Sequence, residues 1–218
     1  MKRIKLLAGF LVVMLFGCFV VYKATSMAVI PIKKATSLQH PVFHDGDIVF
    51  QSNISPQCKA IEMATHSPYS HCGMLYNIEG KWMVYEAVQP VSSTTFEEWI
   101  ARSNGKYAVK RLKNAATVLT PEVMKNMHRV ALQYNGKDYD AYFEWSNDRI
   151  YCSELVWKIY KELTGLELGT LQRLEEFDLS SPLVKKELER RYGKNIPFKE
   201  LVISPARIYE CNLLEDVK

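Results

Sequence analysis

The chain has 218 residues, enough for one domain with a real core, and its apolar and charged contents are those of a globular protein. Its formal charge of +4 does not point to nucleic acid: Lys2, Arg3, Lys5 and Lys23 carry the whole excess, and without them 24 basic residues face 24 acidic ones. The basic cluster Lys185, Lys186, Arg190 and Arg191 is interleaved with Glu187 and Glu189, which reads as a solvated helix face, so no nucleic-acid partner is expected.

The chain opens with "MKRIK", followed by an uncharged apolar run from Leu6 to Tyr22 and by the small residues of "ATSMA". This is the layout of an export segment, with Ser26-x-Ala28 as a cleavage site. Three fates stay open: a cleaved signal, a retained anchor, or lipid modification of Cys18, which sits in "LFGC". All three carry the domain across the membrane, so an extracytoplasmic, periplasmic location is expected, with membrane contact only through the N-terminal segment. Residues 1–28 are thus the signal or anchor and 29–43 a linker. Residues 44–218 form the domain, with a charged, mostly helical insertion at about 166–200.

Within that domain Asp45-Gly46 marks a turn, and Asp47 to Gln51 reads as a strand. Ser55-Pro56 opens a short helix whose inner face is expected to carry Cys58, Ile61 and Met63 or Thr65. "YSHCGMLYNIEGKWMVYEAV" reads as a β-hairpin with its turn in "NIEG". With Tyr76 and Lys81 closing a four-residue loop, partner numbers sum to 157, and His71 stands directly opposite Glu86. Their Cβ atoms would then lie about 5 Å apart on one face. Thr94-x-x-Glu97 and Thr95-x-x-Glu98 are capping-box patterns before "FEEWIARS", and "KYAVKRL" reads as a further strand. Thr120-Pro121 starts a helix that runs to about Tyr134 and ends at Asn135-Gly136. "KDYDAYFEWSNDRI" is irregular, and Asp138 and Asp140 are expected to fix it through side-chain-to-backbone bonds. In "RIYCSELVWKIY" the spacing of Leu155, Val156, Ile159 and Leu163 predicts an amphipathic helix, capped by Asp148 or a nearby polar residue and stopped by Gly165. "ELVISPARIYEC" reads as a strand-like run broken at Pro205.

Of the five cysteines, Cys18 lies in the export segment, leaving Cys58, Cys72, Cys152 and Cys211, for which two disulfides are arithmetically open. No CxxC or Cys/His spacing suggests a metal. His71 and Cys72, adjacent on a strand, point to opposite faces and cannot easily grip one ion; neither metal nor cofactor is expected.

Cys152 is set in or just before the first turn of its helix. Free N–H groups and the positive end of the helix dipole favour an anion there, and an imidazolium alongside lowers a thiol pKa further. His71, opposite Glu86, is the histidine with an orienting carboxylate at predictable geometry. His40 and His44 fall in or near the linker, His66 in a loop, and His128 in mid-helix. A Cys152–His71–Glu86 triad is the resulting expectation. Gln51, at a strand end, could line the cleft. Glu154 suits the dipole whatever the function, and no catalytic role is expected for it.

Five blocks in this order, "GDIVFQ", "HSPYSHCGM", "VYEAV", "GKDYDAYFEW" and "YCSELVWKIY", with a return at "VISPARIYE", resemble the YiiX-like family of circularly permuted papain-fold cysteine hydrolases in the NlpC-like superfamily. The resemblance implies an α+β fold, an antiparallel sheet packed against helices. It implies Cys152 as nucleophile, His71 as general base and Glu86 as its orienting partner. Tyr151, in the YCSEL block, is implied to bind or polarise substrate and is a candidate second oxyanion donor. Cleavage of an amide in a small peptide, a cell-wall fragment or a lipid amide, through a thioester, is the implied activity. Two rivals stay open: an acyltransferase using the same thioester, favoured by a deep apolar pocket beside Cys152, and a non-catalytic binding module. An open polar groove would favour a cell-wall peptide.

Overall fold

The computed structural model describes residues 42–218; the export segment, Cys18, His40 and most of the expected linker lie outside the described residues. Among the described residues no helix is long and apolar enough to cross a membrane.

The order of elements is β1 (Ile48–Gln51), α1 (Pro56–Thr65), β2 (His71–Ile78), β3 (Lys81–Glu86), β4 (Ser92–Thr95), α2 (Phe96–Ala101), β5 (Ala108–Leu112), α3 (Ala115–Val118), α4 (Pro121–Tyr134), α5 (Cys152–Thr164), β6 (Gln172–Arg173), α6 (Pro182–Tyr192), β7 (Leu201–Val202), α7 (Pro205–Tyr209) and β8 (Leu214–Asp216). Six strands form an antiparallel sheet in the order β4-β3-β2-β1-β5-β8. The fold is α+β, as the sequence implies. Strand alternation divides the apolar residues between two faces. Ile48, Phe50, Cys72 and Met74 pack with Met127 and Val130 of α4 and with Leu155, Val156 and Ile159 of α5. Val49, Leu75, Val84 and Val109 pack with Phe96, Trp99 and Ile100 of α2 on the other face. Phe43, the last residue of the expected linker, is buried here, edge-on to Trp82 and Phe96. A third cluster joins Ala60 of α1 to Leu174 and to Val184 and Leu188 of α6.

Several local expectations hold for the expected reason. Ser55 accepts from the Cys58 N–H with Pro56 in the first turn, Thr120 accepts from Val123 N–H, and Gly165 closes α5 at φ 72°. Others are corrected. The hairpin loop has two residues, Glu79-Gly80, with φ of 51° and 83°, and pairs Ile78 with Lys81, so partner numbers sum to 159 rather than 157. His71 therefore does not stand directly opposite Glu86; the register carried one pair past Met74–Tyr85 sets Gly73 there. Because the slip is of two residues, side-chain parity survives, and His71 meets Glu86 diagonally on the same face. Gly73 makes the diagonal open: a Cβ there would lie 2.6 Å from Val84 Cγ1 and 3.3 Å from Glu86 Cβ.

On α1 the buried residues are Cys58 and Ala60, whereas Met63 is 48% exposed. Asp148 does not cap α5; its N-cap is Tyr151, whose N–H donates to Glu154. The 166–200 region is less helical than its charge suggests: besides α6 it holds β6, paired with β7, and a single 3₁₀ turn at Leu174–Glu176. The segment after Pro205 is helix α7, capped by Ser204, since proline at the first helical position starts a helix as readily as it breaks a strand.

Candidate active site

The site forms where β2, β3 and α5 meet. Cys152 is the first residue of α5 and is buried, at an end where backbone N–H groups lack intrahelical acceptors. That end is held down from both sides of the nucleophile position. The Tyr151 hydroxyl accepts from Ile203 N–H at 3.1 Å, and the Ser153 hydroxyl donates to Ile203 O at 2.7 Å. His71 begins β2, and its imidazole lies beside Cys152, near enough for each charge to act on the other. Its Nε2 lies 2.5 Å from Glu86 Oε2, which leaves Nδ1 to face the sulfur.

Glu86 is fully buried and receives four donors. Oε2 takes His71 and, at 3.0 Å, Trp99 Nε1; Oε1 takes the Thr94 hydroxyl at 2.7 Å and Arg102 Nη1 at 2.8 Å. Burial pushes its carboxyl up, but bonds to His71 and Thr94 and the Arg102 charge outweigh it, and the pKa falls below the ordinary carboxylate value. For His71 burial works downward; the Cys152 thiolate and Glu86 more than offset it and raise the imidazolium to about 10. The Cys152 thiol is held well below its usual value by a hydrogen bond from the Cys72 thiol and by the His71 charge, against burial; the Cys72 N–H adds a further bond. Burial and the neighbouring thiolate push Cys72 itself up, so it stays a thiol and donates. The arrangement is an ion pair of thiolate and imidazolium at the N-terminus of a helix, able to attack a carbonyl carbon and then to deliver a proton.

The structure thus brings Cys152, His71 and Glu86 together. Gln51 is buried opposite His71 on β1, and its Oε1 has no hydrogen-bond partner. Tyr151 is buried edge-on to Phe143, with its hydroxyl engaged by Ile203. The tyrosine better set to reach a substrate is Tyr139. It borders both cavities of the site, interacts electrostatically with Cys152, and accepts from Gln57 Nε2 at 3.4 Å, which leaves its own proton free to donate. A parallel bridge from Tyr139 to Ile150 fixes it. Asp140 holds the adjoining loop by accepting from Tyr142 and Glu144 N–H, and Asp138 accepts from Gln89.

Cys72, Thr94, Trp99, Arg102 and Tyr139 are the residues that sequence pattern alone does not single out. Thr94 reads as a helix cap but serves Glu86, while Thr95 caps α2. Trp99 and Arg102, three residues apart on and just after α2, are one helical turn from each other; that spacing was a usable signal. Glu154, also fully buried, pairs with Lys158 at 2.6 Å. All four described cysteines are free thiols.

A buried Cys–His–Glu line, with its cysteine on a helix and its histidine on an earlier strand, defines a papain-like cysteine hydrolase whose chain order is permuted. The comparisons agree: residues 42–218 match the family described as permuted papain-like amidase enzyme, YaeF/YiiX, C92 family, and the chain belongs to it. It is 47% identical over 173 residues to the uncharacterized protein YiiX of Escherichia coli strain K12, covering 79% of this chain and 84% of that one. The crystal structure of metalloprotein yiiX from Escherichia coli O157:H7 superposes with a TM-score of 0.76 at 47% identity, covering 80% of this chain and 96% of that one. Among the described residues here no group of three or more His, Cys, Asp and Glu side chains could hold a metal ion, so the donor set does not fit a resident metal.

Proposed function

We propose that this member of the amidase family cleaves an amide bond, in a cell-wall peptide or in an N-acyl amino acid or other lipid amide, through a Cys152 thioester. The Cys152–His71–Glu86 line carries the reading. The Cys152 thiolate attacks the carbonyl carbon and a C–S bond forms. The oxyanion is held by the Cys152 N–H and a second donor; the Tyr139 hydroxyl, backed by Gln57, fills that role better than Tyr151. His71 gives its proton to the departing nitrogen as the C–N bond breaks. It then takes a proton from water, whose oxygen displaces the sulfur to release a carboxylic acid and regenerate the thiolate. Glu86 keeps the imidazole turned throughout and stabilises its charged form before the proton is given up and after it is regained. The export pattern of residues 1–28 supports an extracytoplasmic site of action.

One observation favours acyl transfer as a second reading: Cys152 lines an apolar cavity suited to holding an acyl group while an amine or alcohol replaces water. Incubating the protein with peptidoglycan fragments and with N-acyl amino acids, Cys152→Ala as control, tests both. Mass spectrometry should show Cys152-dependent release of free acid; acyl amines formed with added amine would mark transfer. Iodoacetamide labelling of Cys152 no faster than an ordinary thiol near neutral pH, unchanged in His71→Ala, would remove the basis of either reading.

A further inference from the structure

The basic residues of α6 are not equivalent. Lys186 and Arg190, four apart and so on one side of the helix, border a cleft of about 640 Å³ that His71 also borders. Arg102, just after α2, lies on the same cleft, and so does Gln51, paired with His71 across β1 and β2. Among the described residues that border it, Glu187 is the one acid. Arg102 gives Nη1 to Glu86 and Nη2 to the Thr94 hydroxyl, so its charge is matched, as His71 is matched by Cys152. Arg190 gives Nε and Nη2 to Glu187 Oε2 at 3.0 and 2.7 Å, which leaves Nη1 unengaged. Lys186 is exposed and has no anionic partner among the described residues. One cation of the cleft is therefore uncompensated. A buried acceptor is open as well: Gln51 is 3% exposed, and its Oε1 has no hydrogen-bond partner, so an N–H of a ligand would satisfy it.

In the proposed mechanism the leaving nitrogen takes its proton from His71, so the amine half of the substrate occupies the cleft that His71 borders. We infer that this leaving amine is an amino acid whose free carboxylate is held by Lys186 and Arg190 and whose N–H is accepted by Gln51 Oε1. One uncompensated cation matches a monoanion, and the open edge of the Arg190 guanidinium suits a planar carboxylate. A phosphate monoester, with about two charges at neutral pH, would exceed what the cleft supplies. The inference rests on the cysteine-amidase reading and adds to it the charge of the leaving half; an amide of a neutral amine lacks the group that Lys186 would pair with.

The test uses the full chain, with Cys152→Ala as background, and two amides that share an acyl group, N-butyrylglycine and N-butyrylglycinamide, followed by mass spectrometry. 4-Nitrophenyl butyrate, reactive enough to acylate any competent Cys152, reports on the hydrolase reading alone. Hydrogen bonds to a charged group are the strong kind, so kcat/KM should be at least about tenfold higher for the glycine than for the glycinamide. Lys186→Ala should lower that ratio severalfold, and Lys186→Glu, which sets an anion at the site, by at least about tenfold. Lys186 is exposed, so neither change touches the core. Cys152-dependent cleavage with no preference, or with the glycinamide preferred, overturns the carboxylate assignment and leaves the hydrolase reading standing. Turnover of the ester with neither amide cleaved does the same. A glycine preference that Lys186→Glu leaves unchanged overturns the location. Absence of Cys152-dependent turnover of the ester overturns the hydrolase reading itself.

Discussion

Two carboxylates, Glu86 beside His71 and Glu154 two residues after Cys152, are buried to the same degree, yet their acidities move apart. Glu86 is held below the ordinary carboxylate range, whereas burial pushes Glu154 up to about 7, with Lys158 and the Tyr151 N–H offsetting only part of the cost. The difference lies in the donors. Glu86 receives four, two of them from cationic side chains, and they come from β2, β4 and α2 together. Glu154 has an ion contact with one lysine of its own helix, which leaves Oε1 without a well-directed hydrogen bond, and one N–H on Oε2. Burial alone would make both carboxyls neutral; the number of donors decides which stays an anion. The anion is the one beside His71, where it keeps an imidazolium charged.

Removing Glu86 breaks this contrast at its strongest point. Glu86→Ala strips His71, Arg102, Trp99 and Thr94 of a shared acceptor and leaves two cations uncompensated. We expect a loss of roughly 3–5 kcal/mol in denaturant unfolding and a fall in turnover of at least about a hundredfold. A folded Glu86→Ala protein as stable as the native one would show that the four bonds hold nothing together.

The next effect is on the nucleophile. Because the Cys152 thiol is depressed and His71 is raised to about 10, the thiolate–imidazolium pair should persist across neutral pH. An ordinary thiol gains nearly a hundredfold (~80-fold) in thiolate between pH 6 and pH 8. Cys152 should change its iodoacetamide rate less than about threefold over that range, and Glu86→Gln should restore part of the slope. A full slope in the native protein would mean the ion pair is absent.

Arg102→Ala probes one donor of the four. Arg102 is 38% exposed in its side chain, so its charge is partly screened, and about 1 kcal/mol of stability should be lost. The iodoacetamide slope should stay flat, since His71, Trp99 and Thr94 still hold the carboxylate. A slope as steep as in Glu86→Gln would make Arg102 the dominant donor.

How much of this was legible before the fold is clear from the same residues. His71, Glu86 and Cys152 stand out because each sits where a local rule applies: an alternating hairpin strand for the first two, a helix start for the third. Face parity is the robust part of such a reading. The loop length was misjudged by two residues, yet His71 and Glu86 remained on one face because strand side chains repeat every two. What stayed illegible depends on contacts between elements distant in the chain. Trp99 and Arg102 stand one helical turn apart, which marks a shared face, but nothing local says that this face turns toward Glu86. Cys72 is a buried strand residue until α5 is laid over it. The apolar cavity needs α1 and an insertion more than a hundred residues later to be brought together. The charge of 166–200 suggests an extra, mostly helical piece but not which of its residues turn inward; the buried Leu174, Val184 and Leu188 line the cavity beside Cys152.

Glu154 supplies the most discriminating test. A carboxyl whose folded pKa is raised from 4.5 to about 7 stabilises the fold fully below pH 4.5 and loses that contribution as pH rises through 7. At about 1.4 kcal/mol per pKa unit, the loss is at most about 3 kcal/mol. Glu86 has the opposite sign: its contribution is present above the unfolded value and is lost as pH falls through its lowered pKa. Glu154→Gln cannot titrate, so the drop in unfolding free energy between pH 5 and pH 8 should be smaller in the variant than in the native protein by about 1–2 kcal/mol. Glu86→Gln should leave that interval nearly unchanged and act below pH 4.5. If Glu154→Gln instead steepens the loss toward alkaline pH, the carboxyl is an anion in the native protein, Lys158 alone suffices to hold it, and donor number is not what separates the two sites.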